Sequence, residues 1–175
     1  MFTLAFTRRF SMSHRLLSPR AAKCGIPHGH NEHVPVPLAA TEPGPLDGDE
    51  NMVRPFEAAK RRWHDWIDEH VDHTLHLGLG DPLLDYFRAH EPERLGRVLI
   101  TPGDPTTEAL AAAFMGKISA FLAAESSGLR CTEVRIEETP TNTVIFDGDP
   151  AAALPRDGFP DPPWWLRADD RIHDL

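Results

Sequence analysis

From the start of the chain the apolar residues fall on alternate positions. Phe2, Leu4, Phe6, Phe10 and Met12 share one parity, and His14 ends the stripe. A period of two puts these side chains on one face of a strand. After a loop containing Pro19 and Gly25, the same parity resumes at His28, His30, Val34, Val36 and Leu38, and this run reads as the antiparallel partner of the first. Pro35 and Pro37 lie on the opposite parity. Each lacks an N–H for the ladder, so the second strand is expected to be an edge or to pair irregularly there.

A polar stretch, TEPGPLDGDEN, separates these strands from a different period. From Phe56 the spacing is helical, with Phe56, Ala59, Trp63, Ile67 and Val71 on one side and KRR on the other, and this helix is expected to end near His73. A second helix is predicted from about Thr107 to Glu125, burying Leu110, Phe114, Ile118, Phe121 and Leu122. Two strands follow. CTEVRIEET sets Val134, Ile136 and Glu138 on one face and Glu137 on the other, and NTVIF resumes after a turn at Pro140 and Asn142. The order ββααββ predicts an α+β fold, a four-stranded antiparallel sheet with two helices packed on one face. The expected division is a domain at 1–148 with an insert at about 78–104, followed by a tail at 149–175 rich in proline and aspartate.

Composition narrows the partners. A formal charge of −9 argues against nucleic acid, because phosphate backbones are held by clustered Lys and Arg; any phosphorylated ligand must be met by local cations. Two cysteines, Cys24 and Cys131, are too few for a disulfide framework and suit a reducing cytosol. The opening MFTLAFTRRFSMSHRLL has the arginine and serine of a transit peptide, but its alternation is that of a strand. No run approaches the roughly 18 apolar residues of a membrane span.

The chemistry gathers where the first two strands meet. Antiparallel pairing brings His14 beside His28 and His30 on one face. Three imidazoles with a fourth position open suit a catalytic zinc ion; each could equally be an ordinary satisfied polar residue. Cys24, in the loop before the pair, could be a thiolate activated by a cation, a fourth ligand or an inert small residue. Asp72 and His73 could form an acid/base unit, or a surface pair at a helix C-terminus.

The segments SMSHRL, CGIPHGHN, MVRPF, VDHTLHL, PTTEALA and RIEET, in this order, resemble the 6-pyruvoyltetrahydropterin synthase superfamily across residues 1 to 147, the insert excepted. The three residues between Cys24 and His28 are similar to the 6-carboxytetrahydropterin synthase branch of the queuosine pathway. The resemblance implies a tunnelling fold and a cytoplasmic zinc-dependent lyase that converts 7,8-dihydroneopterin triphosphate to 6-carboxy-5,6,7,8-tetrahydropterin. It makes His14, His28 and His30 the zinc ligands. Cys24, Asp72 and His73 become the proton-transfer groups, and Thr106, Thr107, Glu108 and Glu138 line the pterin pocket. It also implies a homo-oligomer, a hexamer or related ring, with sites built between subunits.

Three features depart from the family pattern: Pro55 stands where an Asp usually precedes Phe, Leu77 stands where Asn often follows, and the insert is long. They leave two alternatives. One is 6-pyruvoyltetrahydropterin synthase or another pterin-processing relative; the other is a non-catalytic pterin- or metal-binding protein.

Overall fold

The computed structural model describes residues 2–42 and 44–175. Strand β1 (Thr3–His14) pairs antiparallel with β2 (His28–Ala40) along its whole length, from Thr3 opposite Ala39 to His14 opposite His28. The shared parity buries Phe10, Met12 and His14 on one strand and Val34, Val36 and Leu38 on the other. Phe2 at the open end is exposed. Arg8 interrupts the stripe, and its guanidinium reaches out to Asp68, with Nε donating to Oδ1 at 2.6 Å.

Strand β2 is interior to the sheet. It lies between β1 and β6 (Val134–Thr139), with the three-residue β5 (Leu129–Cys131) alongside its far end, and β7 (Asn142–Phe146) pairs outside β6. The irregularity expected at the prolines is present. On the β5/β6 side the ladder has His33 opposite Glu137 and resumes only at Leu38 opposite Cys131. In the gap the Pro37 carbonyl accepts from Thr132, from its amide at 3.0 Å and its hydroxyl at 3.2 Å. A residue without an N–H is tolerated there because no neighbouring strand asks for one.

Helix α1 spans Phe56–Trp66, shorter than the spacing suggests. It ends in one wide turn over Ile67–Val71, where the Asp72 amide bonds to the Ile67 carbonyl at 2.8 Å. His73 then takes a positive φ of 61° and turns the chain into the sheet. The buried side carries Ala59, Trp63, Trp66, Ile67 and Val71, whereas Phe56 is exposed. Three elements follow His73: β3 (Thr74–Gly78) just ahead of the expected insert, and α2 (Pro82–His90) and β4 (Val98–Thr101) within it. They form a strand-helix-strand crossover. β3 runs parallel to β1, β4 parallel to β3, and Leu77, Leu84, Val98 and Ile100 make a small core of their own. Among the described residues, the expected four-stranded antiparallel sheet is therefore seven-stranded and mixed, six strands in the order β4-β3-β1-β2-β6-β7 with β5 paired beside β2. The antiparallel core and the two helices packed on it stand as expected.

Helix α3 (Thr107–Ala124) is buried nearly all round. By length and apolar composition it could span a membrane, yet two thirds of it lies inside this protein. One side faces the sheet, and the C-terminal segment covers the other. Gly116 permits that cover, since a Cβ there would lie 2.5 Å from the Trp165 carbonyl. Trp164 and Trp165 are fully buried, and the Trp164 indole donates to the Ile100 carbonyl at 2.8 Å. The Ile172 carbonyl accepts from the Ile100 amide at 3.1 Å and so occupies part of the β4 edge. Lys117, also fully buried, gives its ammonium to the carbonyls of Arg167 at 3.0 Å and Asp169 at 2.9 Å. Burial pushes its pKa down to about 8 despite the neighbouring Asp169.

Residues 164–172 thus close the core. Trp164→Ala is expected to cost about 3–5 kcal/mol, the range for truncating a buried aromatic. Ile145→Ala, at an exposed position, should cost under about 0.5 kcal/mol. Urea melts of the two variants provide the comparison, and equal midpoints would show that the segment is only loosely attached.

Candidate metal centre and its surroundings

The β1–β2 register brings His14, His28 and His30 together, with one potential ligand atom of each within 4.8 Å of the others. Gly29, between the two β2 histidines, lies against β1; a Cβ there would sit 2.9 Å from the Met12 carbonyl. The HGH spacing thus keeps the strands close where the imidazoles converge. His14 Nδ1 bonds to the Pro105 carbonyl at 3.0 Å and His28 Nδ1 to the Ile26 carbonyl at 2.9 Å. Protonating both Nδ1 atoms satisfies these carbonyls and leaves both Nε2 atoms as bare acceptors, 3.2 Å apart. His30 Nε2 is buried without a partner. Burial, and then the two neighbouring histidines, lower the His14 pKa against the pull of the Pro105 hydrogen bond. His14 therefore favours its neutral ring, and its Nε2 lone pair converges with that of His28. Tetrahedral ligands about 2.05 Å from a metal lie roughly 3.3 Å apart; the His14–His28 pair has that spacing, and with a His30 ligand atom within 4.8 Å of both, the residues present could hold a metal ion.

His14 stands on the wall of a cavity of about 470 Å³ with Thr106, Thr107, Glu108, Glu138 and Asn142. The Thr106 hydroxyl caps α3 by accepting from the Ala109 amide at 3.3 Å. Thr107 donates to Glu138 Oε1 at 2.9 Å and so fixes that carboxylate. Glu138 sits where the β6–β7 register shifts, between Glu137 opposite Thr143 and Thr139 opposite Asn142, and both Glu137 and Glu138 are half-buried. The PTTE segment therefore contributes at both ends, through the Pro105 carbonyl on His14 and the Thr107 hydroxyl on Glu138.

Asp72 and His73 are also paired, and they stand elsewhere. Asp72 Oδ2 bonds to His73 Nδ1 at 2.7 Å, while Oδ1 accepts from the Ser11 amide at 2.7 Å. Burial would raise the Asp72 pKa, but the Ser11 amide and His73 outweigh it and hold the carboxyl below its usual value. His73 opens into a separate cavity of about 710 Å³ bounded by Ser11, Ser13, Leu75, Phe87 and Arg97. Ser11 and Ser13 have the parity opposite to His14, so this opening belongs to the other face of the sheet. Cys24 lies in a short helical turn over Pro19–Gly25, half-buried and unpaired, with its carbonyl bonded to the Leu16 amide at 2.8 Å. Among the described residues, no hydrogen bond joins Cys24 to the Asp72–His73 pair.

Two buried polar residues beside the imidazoles are not marked out by the motif spacing. Glu32 continues the parity of His28 and His30, is 1% exposed and leaves Oε2 without a partner. Burial, and secondarily Glu138, push its pKa up to about 8. His76 stands opposite His14 across β1–β3 and is completely buried, with Nε2 on the Thr74 hydroxyl at 2.9 Å. Burial, with His14 nearby, takes its pKa down to about 3. Even-numbered polar residues running on from HGH, and a second histidine three after DH, were the available signals. Leu77, by contrast, is fully buried in the small core between β3, α2 and β4, and Pro55 is the residue before the first turn of α1.

Comparison with known proteins bears on the family and the fold. A 6-carboxy-5,6,7,8-tetrahydropterin synthase from Rickettsia bellii is 30% identical over 137 residues, which span 77% of this chain and 93% of that protein. Among solved structures, an uncharacterized protein from Wolinella succinogenes superposes with a TM-score of 0.66 at 20% identity, covering 85% of this chain and 98% of that one. The 6-pyruvoyl tetrahydropterin synthase of Caenorhabditis elegans gives a TM-score of 0.56 at 24% identity, covering 85% and 96%. These two likenesses concern the fold. The sequence model of 6-pyruvoyl tetrahydropterin synthase matches residues 3–149, and the chain belongs to that family of pterin synthases.

Proposed function

We propose that the protein is a zinc-dependent lyase that converts 7,8-dihydroneopterin triphosphate and one water to 6-carboxy-5,6,7,8-tetrahydropterin, acetaldehyde and triphosphate. The observation that carries this reading is the cluster of three imidazoles, one of which, His14, stands on the wall of the cavity that also holds the Thr107–Glu138 pair. His14, His28 and His30 would hold the ion, and zinc when bound supplies Lewis acidity toward the hydroxyl oxygens of the substrate side chain. Glu138, oriented by Thr107, accepts two N–H bonds from the amino-pyrimidinone edge of the pterin and sets the ring in one orientation. Cys24 and His73 move protons at the side-chain carbons, and Asp72 fixes the His73 ring through Nδ1. His73 opens on the opposite sheet face from His14, so the working site is assembled from two copies of the chain in a ring such as a hexamer. In this reading residues 1–148 are the catalytic domain carrying the 78–104 insert, 149–175 is an added tail, and the enzyme acts in the cytoplasm.

The direct test is to incubate the zinc-loaded protein with dihydroneopterin triphosphate and identify the products by mass. Acetaldehyde with a carboxypterin supports the reading. A pyruvoylpterin moves the protein to the other branch, and unchanged substrate ends the enzymatic interpretation.

For the metal, about one zinc per chain is expected, and His28→Ala should lose most of it because two neutral donors hold the ion poorly. Metal analysis that finds full occupancy in the variant would exclude this ligand set. For the chemistry, Cys24→Ala should retain zinc and pterin while turnover falls on the order of 10²- to 10⁴-fold, and His73→Ala should behave alike. Normal turnover in either removes that residue from the mechanism. For the ring pocket, Glu138→Gln should weaken pterin binding with zinc content unchanged, while Glu137→Gln has little effect. Calorimetry on both variants decides it, and equal affinities would rule out the pocket.

A further inference from the structure

The two cavities differ in charge. Among the described residues, the walls of the His14 cavity carry the carboxylates Glu108 and Glu138 and no lysine or arginine. The protein as a whole has a formal charge of −9. A ligand ending in a polyphosphate therefore finds no lysine or arginine on those walls to pair with its charge.

The His73 cavity is different. Two arginines of the insert, Arg94 and Arg97, stand on its wall with His73 and Ser11. The Arg97 guanidinium donates to the carbonyls of Glu69 at 3.0 Å and Asp72 at 3.5 Å. These bonds go to main-chain oxygens, so they place the cation beside His73 without neutralising it. Arg94 pairs with Glu91 at the exposed rim, and Arg9 contributes positive potential at Asp72. Glu93 is the acid on the wall that opposes them, and Asp72 is engaged with His73 and the Ser11 amide. The remaining surface is largely apolar, formed by Met12, Leu75, Phe87 and Val98. Low-dielectric walls focus the field of cations set among them, and guanidinium forks match phosphate oxygens in pairs.

We propose that Arg94 and Arg97, with the His73 imidazole, form the subsite for the polyphosphate tail of a pterin whose ring lies in the Glu138 cavity of a neighbouring copy. The proposal rests on the pterin triphosphate reading above. It gives the insert a role: the strand-helix-strand crossover carries the cations that the ring pocket lacks.

The experiment uses the full-length protein, with and without metal, titrated calorimetrically with inorganic tripolyphosphate and separately with phosphate-free neopterin. Tripolyphosphate should bind in both metal states, more weakly as salt is raised. Arg94→Glu and Arg97→Met should each lower its affinity on the order of tenfold to a hundredfold, with neopterin affinity unchanged. Arg94 is 66% exposed, so its variant tests the charge even if Arg97→Met disturbs the turn at Asp72. Failure of tripolyphosphate to bind, or equal binding in wild type and both variants, overturns the subsite. Failure of neopterin alone overturns the pterin reading instead, since the arginine-dependent arm is measured without it.

Discussion

Side chains alternate along a strand, so a one-residue slip between β1 and β2 would send His28 and His30 to the face opposite His14 and scatter the imidazole cluster. The register is held from both ends of the pair. At one end, Phe10, Val34, Val36 and Leu38 must all reach the core, which a slip would forbid. At the other, Gly29 lies so close to the Met12 carbonyl that a larger residue would push the strands apart. The buried apolar stripe and the metal-fitting cluster are two readings of one parity, and the same pairing positions both.

The cluster also draws on distant segments. The Pro105 carbonyl comes from the approach to α3 and orients His14, while Thr107, two residues on, orients Glu138 on β6. α3 is itself held between the sheet and the C-terminal segment, through Gly116 and the buried Lys117. Packing at the far end of the chain thus helps fix the element that supports the ring pocket. The Lys117 ammonium is expensive to bury, and main-chain carbonyls rather than a tight carboxylate pair offset much of that cost.

The insert extends the sheet past β1 and changes what the Asp72–His73 pair faces. In a chain where α1 ran on to His73, that pair would cap a helix. Here the wide turn over Ile67–Val71 and the positive φ of His73 direct the chain into β3, and the pair opens onto a cavity partly walled by the insert. The same crossover explains Leu77, an apolar residue that fills the space between β3, α2 and β4.

The periods of two and 3.6 determined by themselves that the runs from Phe2 to His14 and from His28 to Leu38 read as paired strands, that Phe114 and its neighbours lie on a buried helix, and that His14, His28 and His30 share a face. These are local properties, because side-chain direction follows from backbone type alone. The ordered motifs were also sufficient to point to the family. Tertiary structure alone decided that β2 is interior, that β3 and β4 add in parallel, and that the tail tryptophans are core. TLHLG alternates over too few residues, and VLIT is too short an apolar run, to tell strand from loop, and parallel pairing is stabilised by contacts far apart in sequence. It also decided that His73 and His14 open on opposite faces of one sheet. Each residue's parity is written in its own strand or turn, but the face it finally meets depends on how the wide turn after α1 re-enters the sheet.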